Sequence, residues 1–130
     1  MRGDFDNNQP IYQQIIDRMI AAIAKGDLAP GAKVASVRDL ALQHNVNPNT
    51  MQKSLAKLEE MGYLYTERTS GRYVTQNLAV VEQLAARVPE KIIGDFVAQM
   101  IDFGMAAPDI PGRVSDYIER MDYNGKNIGN

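Results

Sequence analysis

A mainly α-helical fold with one small β-hairpin is what the sequence predicts, on three observations. Apolar residues recur at helical spacing in five separate stretches, two short β-prone runs flank a Ser-Gly turn, and clusters of glycine and proline punctuate the gaps. At 130 residues the chain has room for one ordinary domain, or for a small domain with a dependent extension, and not for two large cores. Its 45% hydrophobic and 23% charged residues match soluble globular usage, which argues against both wholesale disorder and a fibrous repeat.

The first helix opens at Gln9-Pro10-Ile11, because Tyr12, Ile15, Ile16, Met19, Ile20 and Ile23 fall on one arc at a spacing of about 3.6 residues. Gly26 stops it, and the breaker-rich run from Gly26 to Gly31 reads as a turn. Ser36-Val37-Arg38-Asp39 then offers a side-chain cap followed by an acid, a pattern that satisfies free N–H groups at a helix start; Leu40 and Ala41 give this short helix its inward side. After His44-Asn45-Val46, Asn47 caps a second helix with Pro48 at its first position, where a missing N–H does no harm. Met51, Leu55 and Leu58 share one face of that helix, and Met61-Gly62 closes it. The runs 63–66 and 72–75 read as strands of a hairpin, with Ser70-Gly71 as the turn signal.

Helix, tight turn, helix, hairpin, with a further helix in front, is the order of a winged helix-turn-helix, placed at residues 1–76. From Leu78 a second kind of pattern begins: Val81, Ala85, Val88, Ile92, Phe96 and Met100 form one stripe that runs straight across Pro89. An interior proline costs about 3 kcal/mol, so a kink or break is expected near Val88. Gly104 to Gly112 reads as a connector, and Ile110, Val114, Tyr117, Ile118 and Met121 mark a last short helix. So thin a tail cannot bury these stripes by itself, so residues 77–123 are expected to form a helical dimerisation segment covered by a second copy of the chain. The expected interface comprises Val81, Leu84, Val88, Ile92, Phe96, Met100, Phe103, Tyr117, Ile118 and Met121, and residues 124–130 are expected to be a disordered tail. The aromatic and methionine residues of this segment, Met105 among them, read as packing between helices rather than as a ligand pocket.

Most catalytic chemistry is excluded by composition. Zero cysteines and a single histidine, His44, remove disulfides, thiolate zinc sites, iron-sulfur ligation, cysteine nucleophiles and multi-histidine metal sites. No catalytic residue, metal or cofactor is expected, and the protein is not expected to be an enzyme. His44 stands where the first helix of the pair ends and is expected to cap it. The eight acids after Gln76 lack calcium-loop spacing and read as a solvated face, and Arg2-Gly3-Asp4 matches an adhesion tripeptide by chance. No run approaches the roughly 20 apolar residues of a membrane span, and the start lacks a secretory core, so a cytoplasmic protein with no membrane partner is expected.

A net charge of −2 argues against nucleic acid only as an average. From Lys25 to Thr75 seven Lys and Arg outnumber five acids, whereas from Gln76 onward five face eight acids. The middle is mildly basic and the tail acidic. Within that middle, the second helix of the pair carries the mechanism. With Met51, Leu55 and Leu58 inward, Asn49 and Lys53 point away and Thr50 and Gln52 flank them. Asn and Gln suit an adenine edge, Thr a base or its methyl group, Lys guanine or phosphate, and the helix start presents free N–H groups. Arg38, in the first turn of the preceding helix, opposes the helix dipole unless it faces a phosphate. Arg68 and Arg72 bracket Thr69-Ser70-Gly71, which suits a loop lying along a groove, with Gly71 allowing close approach of backbone.

These residues resemble a known family. Pro10-Ile11-Tyr12-Gln13-Gln14-Ile15, the run from Gly26 to Val34, Ser36-Val37-Arg38-Asp39-Leu40-Ala41, Val46-Asn47-Pro48-Asn49-Thr50-Met51 and Leu58-Glu59-Glu60-Met61-Gly62-Tyr63-Leu64 look like the N-terminal domain of GntR-type bacterial transcription regulators over residues 9–75. The short tail resembles the YtrA-like branch, in which a few helices dimerise the repressor. The resemblance implies DNA contacts at Arg38, Asn47, Asn49, Thr50, Gln52 and Lys53, and at Gly71 with Arg72 in the wing; Lys57 and Arg68 complete the expected DNA-binding set. Ala35 stands where the family usually has proline, Lys53 and Ser54 replace arginine and alanine-like positions, and Thr69 stands where the first of two wing glycines is usual. The implied function is a homodimeric repressor of a palindromic operator, released by a small-molecule effector. A winged-helix adaptor between proteins is the alternative, separated from it by whether DNA binding occurs and weakens with salt.

Overall fold

The first three helices each have one buried side, and those sides make the core. In the computed structural model, which describes residues 10–123, the order is α1 (Ile11–Lys25), α2 (Val37–His44), α3 (Pro48–Glu60), β1 (Leu64–Glu67), β2 (Gly71–Val74), α4 (Leu78–Asp102), a 3-10 turn (Ala107–Asp109) and α5 (Ile110–Tyr123). The expected tail at 124–130 and the Arg2-Gly3-Asp4 tripeptide lie outside the described residues.

Local chemistry sets the helix ends. α1 stops at Gly26, whose φ of 93° an L side chain rarely adopts and whose N–H reaches the carbonyls of Ala22 and Ile23. Ser36 Oγ accepts the Asp39 N–H at 3.0 Å to start α2. That helix is closed by Asn45, left-handed at φ 58°, so the cap expected of His44 belongs to its neighbour, because the short amide side chain of Asn tolerates this conformation. Asn47 Oδ1 accepts the Asn49 N–H at 2.7 Å, and Pro48 occupies the first position of α3.

The strands pair antiparallel with Leu64 opposite Val74, Tyr65 opposite Tyr73, Thr66 opposite Arg72 and Glu67 opposite Gly71. Each lies one residue away from its expected span. A short third segment, not foreseen, lies along the outer edge of β2: Val34 N–H donates to Arg72 O at 2.8 Å and Val74 N–H to Ala32 O at 2.9 Å, with Lys33 bridged to Tyr73. It supplies partners to an edge that would otherwise be bare.

The chain divides into two compact units, one ending at Val88 and one starting at Pro89. In the first, Ile15, Ile16, Met19 and Ile23 of α1 pack with Leu40 and Ala41 of α2, Met51, Leu55 and Leu58 of α3, and Val34, Tyr63, Leu64 and Val74 around the hairpin. The start of α4 joins them, which corrects the expected boundary after residue 76. Leu84 is 1% exposed and Val80 and Val81 are half-buried on the same cluster. Leu84 therefore does not belong to a dimer surface: a side chain wholly covered by its own core has no area left for a partner. Arg87 Nη2 adds a hydrogen bond to the Tyr63 hydroxyl at 2.8 Å.

Of the kink or break expected near Val88, the break does not occur, since Pro89 lies inside α4, which is one helix from Leu78 to Asp102. The proline is exposed, so water can satisfy the carbonyl its missing N–H leaves free. The connector is shorter than expected, because α5 begins at Ile110 and takes Pro111 and Gly112 into its first turn. Ile110 is buried, whereas Ile92, Ile93, Phe96, Ile101, Phe103, Tyr117 and Ile118 are exposed. Residues of α4 and α5 line an open groove of about 590 Å³ that includes Ile92, Phe96, Met100 and Tyr117 with Arg113 and Arg120. No described helix is long and apolar enough to cross a membrane.

Candidate nucleic-acid interface

α3 separates its chemistry by face. Met51, Leu55 and Leu58 are wholly buried, while Asn49, Gln52, Lys53 and Ala56 on the other side are exposed and Thr50 is half-buried. Ser54 is buried too, and its hydroxyl proton is shared between the carbonyls of Thr50 at 3.0 Å and Tyr12 at 3.1 Å, which ties α3 to the start of α1. The Lys53 ammonium stands 5.5 Å from the centroid of the Tyr12 ring, an arrangement that favours the cation without neutralising it.

The expected residues do not all have equal freedom. Asn47 is exposed but its Oδ1 is occupied by the helix cap, which leaves its amide NH₂ for another partner. Arg38 and Arg68 are exposed, at the start of α2 and in the turn between strands, and neither has an ion-pair partner among the described residues. Lys57 Nζ lies 3.5 Å from Glu60 in the last turns of α3. Arg72 is the most committed: its side chain is 19% exposed and its Nε lies 3.3 Å from Glu59 Oε1. Gly71, at φ 125°, holds a backbone conformation that L side chains rarely adopt, and an added Cβ would lie 3.2 Å from Cε of the flexible Lys33 side chain.

Two contributors escaped the sequence reading. Lys33 is exposed and brought beside Gly71 by the third segment of the wing, so the hairpin carries one more cation than expected. The segment is too short to show strand periodicity, and only the β-branched Val34 hinted at it. Glu59 contacts both strands, through Thr66 Oγ1 at 2.6 Å and through Arg72. On the far side of α2, His44 Nδ1 lies 3.4 Å from Arg18 Nη1. Burial, and then the Arg18 charge, lower the His44 pKa below its ordinary 6.5.

Known proteins carry the same design. The model for bacterial regulatory proteins of the gntR family matches residues 11–74. The chain is 30% identical over 119 residues to the HTH-type transcriptional regulator YhcF of Bacillus subtilis, covering 92% of this chain and 98% of the relative. It is 42% identical over 71 residues to the HTH-type transcriptional repressor YtrA of the same organism, covering 55% of each. Among solved structures, a GntR family transcriptional regulator from Listeria monocytogenes superposes with a TM-score of 0.76 at 35% identity, over 86% of this chain and 98% of that one. The AraR(DBD) in complex with operator ORE1 superposes with a TM-score of 0.50 at 25% identity, over 58% of this chain and 94% of that one.

Proposed function

The chain belongs to the gntR family of bacterial regulatory proteins and carries that family's helix-turn-helix domain, and from this premise we propose that it is a cytoplasmic transcriptional repressor that binds a palindromic operator as a homodimer and is released by a small-molecule effector. The observation that carries the proposal is the uncovered polar face of α3, where Asn49, Gln52 and Lys53 stand exposed above a wholly buried apolar side. A helix so mounted enters a major groove, with Asn49 and Gln52 toward base edges and Thr50 toward a base or a thymine methyl group. Lys53, Arg38, Arg68 and Lys33 meet phosphates, and Gly71 brings the wing backbone close to the duplex. The repressor name of YtrA and the operator bound by AraR(DBD) support this assignment. An effector acts by shifting the dimer toward a geometry whose two recognition helices no longer match successive grooves.

Binding to DNA from upstream of its own gene, titrated with salt, tests the proposal. Affinity is expected to fall linearly with salt on logarithmic axes. Gln52→Ala should cost about 1–3 kcal/mol at the operator and relax base preference, whereas Arg38→Gln should weaken all sequences alike and lower the salt slope by about 1. Absence of any sequence-dependent binding across the titration would favour the protein adaptor instead.

A further inference from the structure

Given operator binding through α3, we propose that Glu59 is a positioning residue that locks the wing to the recognition helix, and that Arg72 serves as its strut rather than as a phosphate contact; the DNA side of this assignment rests on the regulator reading. Glu59 lies in the last turn of α3, and each of its carboxylate oxygens holds a different strand. Oε2 accepts from Thr66 Oγ1 of β1 at 2.6 Å, and Oε1 accepts from Arg72 Nε of β2 at 3.3 Å. Thr66 and Arg72 are themselves directly opposite in the ladder. One carboxylate therefore clasps a cross-strand pair and sets the pitch of the hairpin relative to the helix that precedes it.

Burial and charge favour the strut. The Arg72 and Glu59 side chains are 19% and 30% exposed, so the pair is screened less than a surface pair, and the Arg72 charge is compensated inside the protein. Arg68 at the hairpin turn is exposed and without an ion pair among the described residues, which leaves it to meet the backbone of the duplex.

Simple electrostatics and the strut predict opposite signs. Glu59→Gln deletes a negative charge near DNA, so bulk electrostatics makes binding tighter, whereas a lost clasp makes it weaker. The expected result is operator binding weakened roughly fivefold to tenfold by Glu59→Gln, Arg72→Gln and the uncharged control Thr66→Val, with the Glu59→Gln/Arg72→Gln double variant no worse than either single. The salt slope should stay at the wild-type value in Arg72→Gln and fall by about 1 in Arg68→Gln. Without DNA, amide exchange at Tyr65 and Tyr73 should accelerate in all three single variants. Tighter binding by Glu59→Gln together with a lower slope in Arg72→Gln overturns the assignment, and so does unchanged exchange in every variant. Failure of the wild-type chain to bind any fragment overturns the DNA-binding reading instead, and the exchange measurement then decides alone whether the clasp exists.

Discussion

His44 meets a guanidinium that can only donate, so its Nδ1 must be the acceptor and its ring proton must sit on Nε2. Protonation would desolvate a charge and set it against Arg18, which is why its folded pKa lies below the ordinary 6.5. The sign follows by linkage. The unfolded chain binds this proton more readily, so the stabilisation is complete above about pH 6.5 and is lost as pH falls toward the folded value. Melting temperatures of the wild type and His44→Gln should run parallel above pH 7 and diverge below it, with the wild type falling faster; parallel curves down to pH 5 would remove His44 as the cause. At this scale the sequence is legible where partners are close in the chain. The Ser36 and Asn47 caps bond residues three and two positions on, and both were expected from local pattern alone. The Glu59 partner of Arg72 is not legible in the same way, because it lies 13 positions away and is brought near only by the fold.

Elements were legible in type and order because hydrophobic period and breakers are local, but the destination of a helix face is not. Val81 and Leu84 carry the same apolar signal whether they face a partner or their own domain. The packing decides: Leu84 is buried in the cluster formed by the first three helices and the hairpin, with Val80 and Val81 packed against it, so the head of α4 becomes part of the winged-helix core. The expectation is measurable by urea unfolding. Leu84→Ala should cost about 2–4 kcal/mol, as for a fully enclosed leucine. Leu42→Ala, at a site 75% exposed on α2, should change stability by less than about 0.5 kcal/mol. Equal losses at the two positions would contradict the placement of α4. Pro89 shows a second limit of local pattern: α4 runs through it as one helix from Leu78 to Asp102, and the exposed position lets water reach the carbonyl that the proline leaves free.

For the whole molecule, the question is what covers the second unit. Ile92 is 63% and Phe103 is 90% exposed, and Ile93, Phe96, Tyr117 and Ile118 add to the same apolar surface of α4 and α5. Monomeric proteins rarely leave so many large apolar side chains in water, and we propose that a second copy of the chain covers them, as the proposed palindromic operator would also require. Sedimentation should show a dimer for the wild type and a monomer for Ile92→Glu, because a carboxylate cannot enter an apolar contact unpaired. The recognition helix is untouched by this change. Ile92→Glu should therefore bind a single half-site as the wild-type head does, yet lose about 100-fold on the full palindrome, where two linked heads otherwise bind as one. A wild-type protein that sediments as a monomer at concentrations saturating the palindrome would mean that the two half-sites are filled independently, and the exposed apolar face would then serve a different partner.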